Sequence, residues 1–385
     1  MTLLSFRSLT WQTEHVMTMM QFRREHLFAT VLHFAAVCTF AMTPSAHAQD
    51  WPVLPQSNAT VTIPAQEWAF APGPRTVAVY IHYPGGDQKN VTPETGLMLC
   101  VHNWGGTHAI GAPDPDQMAE MFNVVAISVD YLQSGKYDAA QNGPYDFGYL
   151  QALDALRALY FVYDGLNKAC VPFDKARIFA GGGSGGGNVS LMANKLAPRT
   201  FACVVDLSGM AKLTDDIAFD LPDGSKLSAG YSNDPTQKNY LSPGEQRLRF
   251  IGEPGHLAAM KSLGNAAKIV VIHGESDTVC PVDDAREMIE NFQAVGLDVD
   301  PHIVTADMVD GETFKDTAHS LGDRTKILAK FAGQYLDPKS PARLRREGPA
   351  DFDRHDDVRY SVPGGAFVIS YANGYPVGQF EAGHP

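Results

Sequence analysis

The chain has 385 residues, of which 44% are hydrophobic and 19% are charged, a composition typical of globular rather than disordered or fibrous proteins. Its formal net charge is -13 at pH 7. A negative surface repels phosphate backbones, so nucleic acid is excluded as an expected partner. The length allows one large domain or two smaller ones, with a sizeable core.

The first 48 residues have the features of a secretory signal peptide. Arg23 and Arg24 precede an apolar stretch over residues 27–42, and residues 46–48 form an A-x-A cleavage site. The apolar stretch is too short for a comfortable membrane span. We therefore expect cleavage after Ala48 and a secreted or periplasmic protein with no stable membrane insertion after that cleavage. An uncleaved anchor is the alternative.

The expected cleavage also determines which cysteines the mature protein keeps. Cys100, Cys170, Cys203 and Cys280 remain after removal of residues 1–48. An exported protein can oxidise its cysteines, and four of them allow three pairings. Cys170 and Cys203 flank neighbouring predicted strands at what should be the same end of the sheet, so they are the pair predicted for a disulfide. Four reduced, buried thiols are the alternative.

Apolar runs of strand length alternate with amphipathic helical stretches from residue 76 onwards. Strands are predicted at 76–82, 96–101, 124–129, 177–180, 201–207, 268–272 and 301–305, and helices at 147–163, from the glycine cluster to about 196, at 283–295 and at 325–335. This alternation predicts an α/β fold with a doubly wound, mostly parallel sheet and helices on both faces. Ligands of such folds bind outside the carboxyl ends of the strands, so the residues that follow each strand are the candidates for chemistry.

Two segments break this alternation. Residues 208–267 have mixed polar, proline and glycine composition and are too long for a simple connection, which predicts a cap inserted over the ligand-binding edge. Residues 339–385 follow the predicted main domain, 49–338, as a C-terminal extension. That extension begins as a charged, irregular segment, and a short hairpin is predicted around residues 363–365.

A candidate nucleophile lies between the fourth predicted strand and the helix that follows it. Gly182-Gly183-Ser184-Gly185-Gly186 fits G-x-S-x-G, in which a sharp turn leaves the serine in a strained conformation with its hydroxyl exposed. The helix N-terminus adds a positive dipole end where an oxyanion would develop. Six of the residues 181–187 are glycines, but the cluster lacks the Lys-Ser/Thr of a phosphate-binding loop and fits a dinucleotide fingerprint poorly. The pattern therefore predicts Ser184 as a nucleophile.

A candidate acid follows the strand predicted at 268–272. Asp277 lies just beyond the end of that strand, where a carboxylate could orient a catalytic imidazole. Glu275 is the closest rival. Asp283 and Asp284 also compete, but they begin the next predicted helix, where acidic residues suit the helix dipole.

His319 is the candidate base. It follows the last predicted strand and precedes the last predicted helix, and the chain order of nucleophile, acid and base is then the one that strand-turn-helix nucleophiles use. The competing histidines are His273, interpreted as packing at a strand end, and His256, which lies in the inserted segment.

The loop after the first buried strand supplies a candidate oxyanion hole. Residues 102–107 read His-Asn-Trp-Gly-Gly-Thr, and a glycine-bearing turn can direct backbone N–H groups at a reacting carbonyl oxygen. The predicted donors are the amides of Trp104 and Gly185, with Gly105 as the rival of Trp104.

A substrate pocket is predicted near the same strand ends. Tyr131, Tyr145 and Met210 should lie there beside Trp104 and are the candidates for its lining. Packing without substrate contact is the alternative for each of them.

These four motifs, in order between about residues 76 and 335, resemble the α/β-hydrolase superfamily. The resemblance is to the prolyl-oligopeptidase-like and dienelactone-hydrolase-like branches, which include secreted carbohydrate esterases. It implies an eight-stranded sheet and hydrolysis of ester or peptide bonds through an acyl-enzyme. This sequence departs from the family pattern at His102-Asn103, where His-Gly is common, and at Ser276 before the acid.

We therefore expect a secreted serine esterase that uses Ser184, His319 and Asp277 and requires no metal or organic cofactor. Its expected substrates are small esters or acylated polysaccharides. No segment of the sequence resembles the N-terminal propeller of oligopeptidases, so an exported serine peptidase is the alternative. A non-catalytic binding protein on a hydrolase fold is a second alternative.

Overall fold

The structure is a computed structural model that describes residues 51–139, 143–222 and 224–383. The predicted signal peptide and its cleavage site after Ala48 lie outside the described residues. None of the described helices is long and apolar enough to cross a membrane.

An eight-stranded sheet organises the fold. Its strand order is β1-β2-β4-β3-β5-β6-β7-β8, with β1, β2 and β4 paired antiparallel and all other neighbours paired parallel. The strands are β1 (Ala59–Ala65), β2 (Arg75–His82), β3 (Gly96–Val101), β4 (Val124–Val129), β5 (Ile178–Gly183), β6 (Cys203–Leu207), β7 (Lys268–Gly274) and β8 (Val299–Val304). The doubly wound, mostly parallel sheet predicted from the sequence is confirmed, and only β1 has no counterpart among the predicted strands.

Helices cover both faces of this sheet. They are α1 (Pro115–Phe122), α2 (Tyr149–Lys168), α3 (Gly185–Leu196), α4 (Asp215–Phe219), α5 (Pro243–Leu248), α6 (Pro254–Ser262), α7 (Val282–Ala294), α8 (Arg324–Leu336) and α9 (Asp351–Arg354). The apolar residues of α2, α3, α6 and α7 form a core on one face, and those of α1 and α8 form a core on the other. In its described residues, the segment 208–267 that is predicted to form a cap contains three short helices, α4, α5 and α6.

The C-terminal residues form a second, antiparallel sheet. Its strands are β9 (Val358–Val362), β10 (Gly365–Asn373) and β11 (Tyr375–Ala382), in the order β11-β10-β9. This sheet covers the outer side of α2: Arg157 Nη1 donates a hydrogen bond to the Pro376 carbonyl at 3.1 Å. Because α2 is enclosed between two sheets, it is buried nearly all round rather than along one stripe.

A buried lysine joins three parts of this fold. Lys195 of α3 is fully buried, and its Nζ donates to the carbonyls of Leu248 and Phe250 at 2.8 and 2.9 Å. The Tyr360 hydroxyl of β9 donates to the backbone carbonyl of Lys195. The helix that begins at Ser184 is therefore tied to both the inserted segment and the C-terminal sheet. Burial lowers the pKa of Lys195 to about 7, against a smaller opposing effect of Glu253.

Replacing Lys195 should change how stability depends on pH. The unfolded chain keeps this lysine protonated up to about pH 10.4, whereas the folded protein releases the proton above about pH 7, so the lysine makes the free energy of unfolding rise between these values. We expect that free energy to gain about 1.4 kcal/mol per pH unit in wild type relative to Lys195→Met within this window. Urea unfolding at pH 7 and pH 9 measures the difference.

The exposed Lys261 of α6 provides the control, because its replacement by Met should leave the pH dependence of wild type unchanged. An equal difference between wild type and Lys195→Met at both pH values would show that the buried lysine does not titrate in this range.

Candidate active site

Ser184 occupies the sharp turn between β5 and α3. Its backbone angles are φ 56° and ψ -122°, a strained combination for a residue with a side chain. A Cβ atom on Gly182 would lie 2.6 Å from the backbone of Gly186, and one on Gly186 would lie 2.1 Å from the Val101 carbonyl oxygen. Only glycine at these two positions lets strand and helix approach so closely. The turn predicted around the serine is present for that steric reason.

Three side chains from distant parts of the chain meet at this turn. His319 Nε2 lies 2.9 Å from Ser184 Oγ, and His319 Nδ1 lies 2.8 Å from Asp277 Oδ2. Ser184 follows β5, Asp277 follows β7 and His319 lies between β8 and α8. The parallel strands place all three at the same edge of the sheet. The arrangement can transfer the serine proton to the imidazole and stabilise the resulting cation.

The Asp277 carboxylate is fully enclosed by hydrogen-bond donors. Its Oδ1 accepts from the amides of Val279 and Cys280 at 2.9 and 3.0 Å, and its Oδ2 faces both His319 and His273. Burial opposes ionisation, but the hydrogen bonds from His273 and His319 outweigh it and hold the pKa of Asp277 well below its usual range. Asp277 is therefore a carboxylate throughout the neutral range.

The rival acids are placed elsewhere. Glu275 Oε1 accepts from the Ala306 amide at 3.1 Å. Asp283 and Asp284 lie in the first turn of α7, where Asp284 pairs with Lys212 at 2.9 Å.

The rival histidines are both buried. His256, in the inserted segment, is hydrogen-bonded through Nε2 to the Ser361 carbonyl at 3.1 Å. His273 contacts the back of Asp277, with its Nε2 3.3 Å from Asp277 Oδ2. Of these three histidines, only His319 reaches Ser184.

Two backbone amides border the space beside the nucleophile. A Cβ atom on Gly185 would lie 2.7 Å from the Trp104 amide nitrogen, so the loop after β3 closes directly onto the start of α3. The neighbouring Gly105 has φ 74°, and a Cβ there would meet only the Gly135 carbonyl, at 3.8 Å. Of the two candidate donors, Trp104 thus has its amide nitrogen directly beside Gly185.

The residues predicted to line a pocket instead support this loop. Tyr145 stacks on Trp104 with ring centroids 3.6 Å apart, and Tyr131 stacks on His102 at 3.9 Å. The Met210 carbonyl accepts a hydrogen bond from Asn188. Tyr131, Tyr145 and Met210 are only 2%, 1% and 3% exposed, so the structure gives none of them the open surface that a pocket lining requires.

The predicted disulfide between Cys170 and Cys203 is wrong in this structure. All four described cysteines are free thiols. Cys170 is exposed beyond the end of α2, whereas Cys203 is buried in the core that α1 and α8 form with the sheet. Cys280 lies against Ser184, and burial raises the pKa of its thiol far above the usual range.

Sequence reasoning missed Arg324, the first residue of α8. A Cβ on Gly183 would lie 2.3 Å from its guanidinium, which also donates to the Gly111 carbonyl. Arg324 therefore holds the loop after β3 against the nucleophile turn, while its charge faces Asp206 and Asp277. No local motif marks this arginine, because its role arises only when β5 and α8 are packed together.

Within the described ranges, no three His, Cys, Asp or Glu side chains are grouped closely enough to hold a metal ion.

Comparisons with known proteins agree with this geometry. A model of the prolyl oligopeptidase family matches residues 130–338. The uncomplexed acylaminoacyl peptidase of Pyrococcus horikoshii is 16% identical, with a TM-score of 0.51 over 74% of this chain and 43% of that one. A puromycin hydrolase is 17% identical, with a TM-score of 0.50 over 75% of this chain and 41% of that one. A search of curated proteins gave no match.

The chain spans about two fifths of the length of the solved structures that it resembles. At such low identity these structures show the fold, whereas the family model covers more than half of the chain and the whole sheet edge that carries Ser184, Asp277 and His319. The chain accordingly belongs to the prolyl oligopeptidase family of the α/β-hydrolase superfamily.

Proposed function

We propose that this protein is a serine peptidase that cleaves amide bonds of small peptides or related acyl compounds through an acyl-enzyme on Ser184. The observation that carries the proposal is the hydrogen-bonded series from Ser184 through His319 to Asp277, at 2.9 and 2.8 Å. Membership of the prolyl oligopeptidase family supports a peptidase over the esterase expected from the sequence. The names of the similar solved structures, acylaminoacyl peptidase and puromycin hydrolase, point the same way.

The first step is attack on the substrate carbonyl. His319 Nε2 accepts the Ser184 proton as Oγ bonds to the carbonyl carbon, and Asp277 stabilises the imidazolium that forms. The negative charge that develops on the carbonyl oxygen is held by the amides of Trp104 and Gly185 and by the N-terminus of α3.

The second step regenerates the enzyme. His319 returns its proton to the leaving nitrogen, the tetrahedral intermediate collapses, and the acyl group stays on Ser184. Water, deprotonated by His319, then attacks the acyl carbon. Collapse of this second tetrahedral intermediate releases the acid as His319 returns the proton to Ser184 Oγ. Asp277 holds the imidazole in the tautomer that both steps require.

A carboxylic ester hydrolase is the second candidate. Trp104 is partly exposed beside the oxyanion amides, and its ring lies flat on Tyr145 with an angle of 3° between the planes. This rigid aromatic face suits the acyl or aryl group of a small ester or an acylated sugar. Esters have better leaving groups than amides, so the same three residues would hydrolyse them without further machinery.

Replacing the nucleophile tests both candidates. Ser184→Ala should lower kcat by about a million-fold on any substrate of this site, because no covalent intermediate can form. A panel of peptide p-nitroanilides and p-nitrophenyl esters, from acetyl to long acyl and feruloyl, measures this loss and separates amide from ester cleavage. Turnover confined to esters would replace the peptidase proposal with the second candidate.

Ser190 is the matched control for that variant. It is buried in α3, the helix that follows Ser184, and its Oγ has no hydrogen-bond partner among the described residues. Ser190→Ala should keep the activity of wild type. Activity retained by Ser184→Ala would contradict the assignment of the nucleophile.

A methyl group at Gly185 tests the oxyanion hole. Gly185→Ala would place a Cβ 2.7 Å from the Trp104 amide and displace it from the oxyanion. We expect kcat to fall by about a hundred-fold to a thousand-fold with little change in KM, as when one oxyanion donor is lost. Steady-state kinetics measure both constants.

Gly333→Ala is the control for the added methyl group, because a Cβ there makes only ordinary contacts with Phe122 at 3.5 Å. A rise in KM alone for Gly185→Ala would indicate that this amide binds the ground state and the transition state equally, which would contradict its role in an oxyanion hole.

Export is proposed on the basis of residues 1–48 alone. If the protein is secreted or periplasmic, the form recovered from outside the cytoplasm begins at Gln49, which mass spectrometry of the intact protein detects. Ala48→Arg should block the cleavage and leave the longer form associated with cells. Recovery of the full-length chain from the cytoplasm alone would contradict the proposal.

A further inference from the structure

A second histidine lies behind the catalytic acid. His273, the next-to-last residue of β7, is fully buried. Its Nε2 lies 2.8 Å from the Cys280 carbonyl and 3.3 Å from Asp277 Oδ2. That same oxygen lies 2.8 Å from His319 Nδ1, so the Asp277 carboxylate is held between two imidazoles.

A second buried carboxylate contributes to the charge around His273. Asp206 lies on the adjacent strand β6 and is fully buried. Its Oδ1 occupies the space where side chains on Gly187 or Gly209 would start, 2.1 Å from either hypothetical Cβ. In the described part of the chain, neither oxygen of Asp206 makes a well-aligned hydrogen bond, and His273 Nδ1 has no partner.

A buried charge without a partner is costly, so these two groups depend on each other's charge. In the described part of the chain, His273 belongs to a group of interacting ionisable side chains. The others are Asp206 from β6, Asp277 and Cys280 from the loop after β7, His319, and Arg324 from α8.

This environment shifts the pKa values of both His273 and Asp206. Burial alone would lower the pKa of His273, but its hydrogen bond with Asp277 and the charge of Asp206 outweigh burial and raise that pKa. Burial raises the pKa of Asp206 to about 6, and the charge of His273 counteracts it. The charges of Asp277 and Asp206 therefore favour the protonated form of His273.

We propose that His273 is a positioning residue, which as a cation holds the Asp277 carboxylate in line with His319 and shares its negative charge. The proposal rests on the hydrolase chemistry proposed for Ser184. Its consequence is electrostatic, because His273 places a positive charge beside the same carboxylate oxygen that His319 contacts.

The test removes the charge and keeps a donor. His273→Gln retains an N–H group that can reach Asp277, and the matched control His256→Gln alters a buried histidine that is likewise bonded to a backbone carbonyl. Two readouts are followed between pH 4 and 9. They are the NMR titration of the His319 imidazole and the rate at which an uncharged fluorophosphonate labels Ser184.

We expect protonation of His319, and with it the acid limb of the labelling rate, to move to higher pH by about one unit in His273→Gln, because a nearby like charge has been removed. At a pH on that limb the labelling rate should fall about ten-fold. His256→Gln should match wild type in both readouts. An acid limb of His273→Gln that coincides with that of His256→Gln would overturn the proposal.

A second variant keeps the test decisive if His273→Gln does not fold. Asp206→Asn leaves His273 in place and removes its outer counter-charge, so NMR should show His273 losing its proton at a pH at least one unit lower than in wild type. An unchanged titration of His273 would also overturn the proposal. If wild-type Ser184 resists labelling, the hydrolase function fails, whereas the NMR titrations still decide the role of His273.

Discussion

The close approach of β5 and α3 is the constraint on which the rest of the site depends. The two elements can meet only because positions 182 and 186 carry no Cβ, which would collide with backbone atoms at 2.6 and 2.1 Å. The turn between them therefore forces Ser184 to a positive φ and exposes its hydroxyl at the sheet edge. A side chain at Gly185 would also fill the space beside the Trp104 amide. The absence of side chains at these glycines thus positions Ser184 and lets the Trp104 amide approach the start of α3.

Parallel strand topology supplies the other reacting groups. Asp277 and His319 lie 93 and 135 residues after Ser184 in the chain, yet each follows a strand that ends at the same edge. Their mutual orientation is set by hydrogen bonds that enclose the Asp277 carboxylate. Such pre-organisation lets the imidazole act without first reorienting, which is the principal contribution of a protein scaffold to acyl transfer.

The inserted segment and the C-terminal sheet are bonded to the helices that pack on the main sheet. The buried pair of Arg249 and Asp146, 3.2 Å apart, joins the inserted segment to the loop before α2, and Lys195 joins α3 to the same segment. The C-terminal sheet encloses α2 from the outside. Removing one partner from such buried ionic contacts is costly, so these segments cannot move independently of the site without loss of stability.

The sequence by itself determined the sheet, the nucleophile turn and the order of Ser184, Asp277 and His319, because apolar periodicity and glycine spacing are local properties of the chain. Only the tertiary structure decided what depends on contacts between distant elements. It left Cys170 exposed while burying Cys203 in the core, and it buried Tyr131, Tyr145 and Met210. It also placed Arg324 over Gly183 and His273 against Asp277. No sequence pattern encodes these neighbours, since side chains on separate strands and helices become adjacent only when the elements pack.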